Sequence, residues 1–345
     1  MRYKLLGKSG LRVSEICLGT MTFGEDWGWG ASKDESHRIF DAFAELGGNF
    51  IDTSCNYTNG TSERFVGEFI ASDRDHFVIG TKYSLSMRKK DPNGGGNHRK
   101  NLVQSLDDSL RRLGTDYVDL FWLHMWDFMT PVEEVMRALD DQIRAGKVLY
   151  VGVSDTPAWV VAQANTLAEL RGWSPFVALQ LPYSLASRHA ERDLLPMARA
   201  LDLAVTPWGV VGQGVLTGKY NRESGEPRRF EGVGERGRAL AERVLEIAGE
   251  IGRSPAQVAI NWVRQKQDRA LIIPILGARS EAQMRDNLGC LTFELTDDQL
   301  SRLDEASAID LGFPHTFLND EEVLELIHGN TFPRIDNHRK QTIPV

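Results

Sequence analysis

Two hydrophobic rhythms alternate along the chain. Short apolar runs at Glu15–Gly19, Asn49–Asp52, Phe77–Thr81, Val118–His124, Val148–Ser154, Val177–Gln180, Ala204–Trp208 and Leu271–Ile273 are set off by turn formers and read as strands. Between them lie amphipathic stretches at Asp34–Leu46, Arg99–Leu113, Val132–Ala145, Trp159–Arg171, Ala190–Ala200 and Ala256–Gln267. In the second of these, Leu102, Leu106, Leu110 and Leu113 share one face, as in a helix laid on a core. Ahead of all of them, Tyr3–Leu6 and Leu11–Val13 flank Gly7-Lys8-Ser9-Gly10 and predict a hairpin over residues 3–14.

Eight strands that alternate with helices imply βαβ units and a parallel sheet. The first strand runs into Gly19-Thr20-Met21-Thr22-Phe23-Gly24, which is not the G-x-G-x-x-G of a doubly wound nucleotide fold. Eight units in about three hundred residues predict a (β/α)8 TIM barrel. With no Pro-, Gly- or Ser-rich linker, the expectation is one domain over residues 1–345. Its parts are a hairpin (1–14), a barrel (about 15–307) with a long loop at Gly209–Gly237, and a C-terminal tail (about 308–345).

Charge and cysteine usage narrow the partners. A net charge of −8 over 345 residues argues against nucleic acid or an anionic membrane surface. The opening residues lack the apolar core of a signal peptide, and no apolar run approaches a membrane span. Cys17, Cys55 and Cys290 are too far apart for a C-x-x-C zinc site or a disulfide framework. The expectation is a cytoplasmic protein, monomer or homo-oligomer, that acts on a small molecule without a metal.

A TIM barrel carries its site at the C-terminal ends of its strands. Polar residues end several of these. Strand two gives Asp52, with Tyr57 in its loop; strand three gives Lys82; strand four gives His124; strand five gives Ser154 and Asp155; strand six gives Gln180. Taken singly, each is an ordinary turn, rim or structural residue. Together they describe a proton donor. A phenol has a reference pKa of about 10, and a nearby ammonium stabilises its anion. Lys82 can supply that ammonium, Asp52 can hold it charged, and His124 can orient a carbonyl oxygen beside Tyr57. The site suits an oxygen that becomes negative, as in carbonyl reduction. It offers no evident acyl-transfer nucleophile and no metal cage, and the hydride must come from elsewhere.

These residues resemble the aldo-keto reductase superfamily, in its bacterial and fungal aryl-alcohol-dehydrogenase-like branch. The likeness runs from the hairpin to about Leu303. Its motifs are Ile51-Asp-Thr-Ser-Cys-Asn-Tyr57 with Ser62-Glu63, Gly80-Thr-Lys82, Ser109 through His124, Gly146 through Ser154, Leu216-Thr-Gly-Lys-Tyr220, and Ile273 through Arg279. The resemblance implies a barrel closed below by the hairpin and NADPH lying across its mouth. It makes Tyr57 the general acid, Asp52 and Lys82 its tuners, and His124 the group that orients substrate. It places cofactor contacts at Gly19, Thr20, Met21 and Asp52 and at the carboxamide pocket of Ser154, Asp155 and Gln180. The pyrophosphate stretch is Thr206, Pro207, Trp208, Gly209, Val210, Gly214, Leu216, Gly218 and Lys219. The adenosine end falls on Gly277, Arg279, Gln283, Asp286 and Asn287.

The chain departs from the pattern at three of these sites. Asp155 stands where Asn is usual and cannot donate while ionised. Val205 stands where many members stack a ring on the nicotinamide. Gln283 replaces a second Arg, so NADH use stays open beside NADPH. Trp27, Trp29, Trp126 and Phe128 are the candidate substrate cup, suited to aromatic, alicyclic or xenobiotic carbonyls, mycotoxin ketones among them. Two other readings stay open on the same fold: a nicotinamide-sensing binding module, and a Schiff-base lyase with Lys82 as nucleophile.

Overall fold

The structure is a computed structural model that describes residues 1–218 and 234–336. Strands β1 (Tyr3–Leu5) and β2 (Arg12–Ser14) form the antiparallel hairpin. Seven parallel strands follow in register order: β3 (Cys17–Gly19), β4 (Phe50–Asp52), β5 (Val78–Tyr83), β6 (Val118–Leu123), β7 (Val148–Ser154), β8 (Phe176–Pro182) and β9 (Ala204–Trp208). The eighth position is split. β10 (Leu271–Ile272) pairs with β9, and β11 (Ile275–Leu276) pairs with β3. Between them, Ile273 N donates to Val205 O at 2.8 Å and Cys17 N donates to Pro274 O at 2.9 Å. Pro274 has no N–H to give, so the strand changes partner there. The two halves together close a (β/α)8 barrel.

The helices between the strands are α1 (Lys33–Glu45), α2 (Thr61–Ile70), α3 (Arg99–Leu113), α4 (Val132–Arg144), α5 (Ala158–Arg171), α6 (Leu194–Ala200), α7 (Glu235–Ile251) and α8 (Pro255–Arg264). After them come α9 (Glu281–Leu288) and α10 (Asp297–Ser307). Helix α7 begins inside the expected Gly209–Gly237 loop, and α2 lies outside the amphipathic stretches named above. In the tail, α11 (His315–Leu318) and α12 (Glu321–His328) leave Phe313, Phe317, Leu326 and Phe332 exposed.

Strand parity divides the core in two. Leu18, Ile51, Ile79, Phe121, Val151, Leu179 and Val205 face outward and pack with the helices. Cys17, Phe50, Val78, Leu120, Ala178 and Ala204 face inward and meet Leu6 and Val13 of the hairpin segment, which plugs the lower end. Burying each Val, Leu, Ile or Phe among them contributes about 1.5–3 kcal/mol. Above this layer the barrel is filled by Trp122, which is fully buried. Its indole fits only because Gly80 and Gly152 flank it. A Cβ on either would lie 2.8 Å and 2.4 Å from the ring.

Candidate active site

The inward rows that begin as Phe50, Val78 and Leu120 become polar towards the strands' C-terminal ends. Asp52 ends β4, Lys82 lies near the end of β5, and His124 follows β6. All three are buried, and Lys82 is fully so. Lys82 Nζ spends its three protons on Asp52 Oδ2 at 2.5 Å, Thr53 O at 2.7 Å and the Tyr57 hydroxyl at 3.1 Å. Gln180 Nε2 donates to the other oxygen of Asp52 at 3.1 Å. His124 stands edge-on to Tyr57 with ring centroids 6.2 Å apart. Thus the structure brings Asp52, Tyr57, Lys82 and His124 into one cluster.

The loop that delivers Tyr57 is tightly folded. Thr58 and Asn59 take left-handed backbone angles. Thr58 Oγ1 donates to Phe23 O at 2.6 Å and accepts from Ser62 N at 3.1 Å, which starts α2 directly behind the tyrosine. In the first turn of α2, Glu63 is fully buried between Thr81 Oγ1 and Arg112 Nε. Ser84, Phe128 and Asp155 also have positive φ in loops beyond β5, β6 and β7. Strained residues gather at this mouth, as they do at functional sites.

Electrostatics fix the protonation states. Burial alone lowers the Lys82 pKa, but the Asp52 carboxylate and Tyr57 outweigh it, so the ammonium is held charged. A lysine so held is a poor amine nucleophile, which counts against the Schiff-base reading. Burial pushes the Asp52 carboxyl up, and Lys82 opposes it. For Tyr57 burial raises the pKa and Lys82 lowers it, with a net rise. The group therefore rests as a phenol rather than as the phenolate that Lys82 alone would favour. Burial, with help from Lys82, brings His124 down to about 3 and keeps it neutral. The three thiols are buried and shifted upward by that burial, Cys55 to about 12, so none is poised as a thiolate. Among the described residues no group of His, Cys, Asp and Glu could hold a metal.

One side of the mouth is set up for a polar ligand. Ser154, Gln180 and Thr206 lie in register on β7, β8 and β9. Thr206 Oγ1 is buried with no hydrogen-bond partner, while the buried Ser154 hydroxyl lies beside the Asp155 carboxylate. A folded protein rarely leaves such a hydroxyl unpaired, so Thr206 fits a ligand that carries its own polar groups, such as a carboxamide. Burial raises the Asp155 carboxyl, while Trp208 hydrogen-bonds to it and holds it down. Val205 points out to the helices, and the inward residues of β9 are Ala204, Thr206 and Trp208. The ring available beside the mouth on this strand is thus Trp208, a role its strand parity could have disclosed.

The remaining candidates are spread around the rim. Gly19 pairs with Asp52 across β3 and β4, and Thr20 N and Oγ1 both donate to Asp52 O at 3.0 Å, with half-buried Met21 next in line. Pro207 and Gly209 continue β9, and Val210 and Leu216 are buried around a short helical turn, Gly212–Thr217, in which Gly214 has φ +92°. Gly218 follows it, and Lys219 lies outside the described residues. Gly277 and Arg279 are exposed before α9, and the Gln283 side chain accepts from Arg279 N at 2.9 Å. Asn287 is half-buried in α9, while the Asp286 carboxylate accepts from Ser254, which caps α8, and from Gln257 within it.

The four aromatic residues read as one cup separate in space. Trp27 and Trp29 meet at a tilt of 48° with ring centroids 5.5 Å apart, and the Arg279 guanidinium lies over the Trp29 ring, at the adenosine end of the expected cofactor path. Trp126 packs against Leu123, Val132, Met136 and Val160, between barrel and helices, because the chain turns outward after His124. Phe128 is 72% exposed at the rim.

Residues 15–308 match the model of the aldo/keto reductase family. The chain belongs to the aldo/keto reductase family. Members are oxidoreductases that use nicotinamide cofactors on small carbonyl compounds. This aldo/keto reductase is 40% identical to norsolorinic acid reductase of Aspergillus flavus, over 91% of this chain and 83% of that protein. It is 38% identical to a putative aryl-alcohol dehydrogenase of Saccharomyces cerevisiae, over 93% and 90%. It is 37% identical to an NADP(+) aryl-alcohol dehydrogenase of Phanerodontia chrysosporium, over 92% and 89%. No described helix is long and apolar enough to cross a membrane.

Proposed function

We propose that this aldo/keto reductase is an NADPH-dependent reductase of aldehydes and ketones, aromatic ones above all, with Tyr57 as its proton donor. The observation that carries the reading is the 3.1 Å bond from Lys82 Nζ to the Tyr57 hydroxyl, backed by Asp52. Burial keeps the phenol protonated until it is needed, and the ammonium beside it stabilises the anion left behind. Neutral His124 holds the carbonyl oxygen next to that phenol. Ser154, Gln180 and Thr206 would hold a reduced nicotinamide, which when bound would supply the hydride for the carbonyl carbon. Tyr57 gives its proton to the oxygen, and an alcohol results. Trp208 and its neighbours up to Gly218 line the pyrophosphate path, and Arg279 faces the 2′-phosphate that favours NADPH over NADH. The aryl preference follows the names of the relatives and the exposed Phe128 at the rim.

The test is NADPH consumption over a panel of aryl aldehydes, quinones, alicyclic ketones and sugars, run on wild type and Tyr57→Phe. Losing a positioned general acid should cut turnover by about 10²–10⁴. NADPH affinity should stay unchanged. Full turnover in the Phe variant overturns the role of Tyr57. Tight NADPH binding with no substrate consumed points instead to a nicotinamide sensor.

A further inference from the structure

Behind the His124 ring lies a relay that the proposed chemistry leaves unused. Ser54 is buried just past β4, with its Oγ 3.3 Å from His124 Nδ1 and 2.7 Å from Asn56 Oδ1. A hydroxyl has one proton and can donate to only one of these neighbours. If Ser54 donates to Asn56 Oδ1, the ring proton must sit on Nδ1 and point at Ser54. His124 Nε2 is then bare. If the Asn56 amide is turned over, Nδ2 donates to Ser54, Ser54 donates to Nδ1, and the ring proton sits on Nε2. The two ends of an amide have the same shape. Ser54 is the one hydrogen-bond partner of the Asn56 amide among the described residues, so turning it breaks no other bond. The far ring nitrogen, Nε2, has no such partner among the described residues and is left for a ligand.

We infer that Asn56 and Ser54 set the tautomer of His124, in the order Asn56 Nδ2–H to Ser54 Oγ–H to His124 Nδ1, and so leave Nε2–H facing the mouth. A carbonyl oxygen presents lone pairs. It is attracted by Nε2–H and repelled by a bare Nε2. Ser54 and Asn56 are positioning residues: they touch no substrate and act only through the imidazole. Both the choice of amide orientation and the effect on turnover rest on the carbonyl-reductase reading.

The experiment is nitrogen-15 NMR of the histidine rings in the full-length protein, with His124→Gln used to assign the His124 signals. Wild type should show a protonated Nε2 and a bare Nδ1. Asn56→Asp replaces the amide with a group that only accepts, so Ser54 must donate to it and the His124 proton should move to Nδ1. Reductase turnover should then fall about a hundredfold, the usual scale for losing one donor to a reacting oxygen. Ser54→Ala should give a mixture of tautomers and a smaller fall. A bare Nε2 in wild type, or a protonated Nε2 that survives Asn56→Asp, overturns the relay. A tautomer that moves while turnover of every accepted carbonyl stays level overturns instead the role of His124 at the substrate.

Discussion

The two ends of the barrel are built on the same strands and buried to the same depth, yet they are held together differently. At the lower end Val78 is 5% exposed; four residues along the same strand, Lys82 is 0% exposed. Phe50 gives way to Asp52 on β4, and Leu120 to His124 beyond β6. The lower layer needs only contact, since apolar side chains are stabilised by leaving water. The upper layer needs partners. Lys82 takes three, Asp52 takes Lys82 and Gln180, and the Thr206 hydroxyl goes without. Non-glycine residues with strained backbone crowd the upper loops at Thr58, Ser84, Phe128 and Asp155. Burial alone therefore does not separate core from site in this fold. What separates them is whether a buried group is satisfied by shape or by a specific charge.

The largest expected effect breaks the charge at the centre of the upper layer. Lys82→Met leaves the Asp52 carboxylate buried with only the Gln180 amide, which should cost about 3–5 kcal/mol in denaturant unfolding. The Lys82→Met, Asp52→Asn double variant should recover most of that loss while remaining inactive. A single variant as stable as wild type removes the pair from the account of the fold.

Acid sharpens the same contrast. The folded chain holds His124 neutral down to about pH 3, whereas the unfolded chain protonates it near 6.5. Between those values the unfolded state binds the extra proton. The penalty is absent above about pH 6.5 and grows as pH falls, up to about 4 kcal/mol near pH 3. Unfolding curves of wild type and His124→Gln from pH 7 to pH 4 should therefore converge or cross in favour of the variant. Parallel curves mean that His124 is protonated normally.

At the lower end Leu120→Ala should lose about 2–5 kcal/mol, because a cavity replaces contact. Turnover per folded molecule should not change, since no reacting group lies in that layer. A matching loss of turnover would couple the two ends and dissolve the distinction. The smallest effect belongs to the exposed rim. Arg279→Ala should weaken NADPH binding about tenfold to a hundredfold, leave NADH unchanged, and matter less as salt rises. Equal losses for both cofactors would make Arg279 a loop support only.

The sequence by itself determined the rhythm of the barrel and the contents of its mouth at the strand ends. Alternation along β4, β5 and β8 is a local property with a period of two, so Asp52, Lys82 and Gln180 could be placed on the inward row by counting. Even there only the tertiary structure decided who bonds to whom, as with Gln180 on Asp52 and Ser54 on His124. It also decided the split of the eighth strand at Pro274, which depends on two neighbours distant in sequence. Loops carry no period to count. Trp29, Trp126 and Phe128 looked alike as loop aromatics, but each one's direction is set by what it meets: Arg279, the α4 and α5 core, or open rim. Helix α2 shows the same limit. It starts where Thr58 reaches back to Phe23 O, a contact 35 residues apart in the chain that local periodicity does not contain.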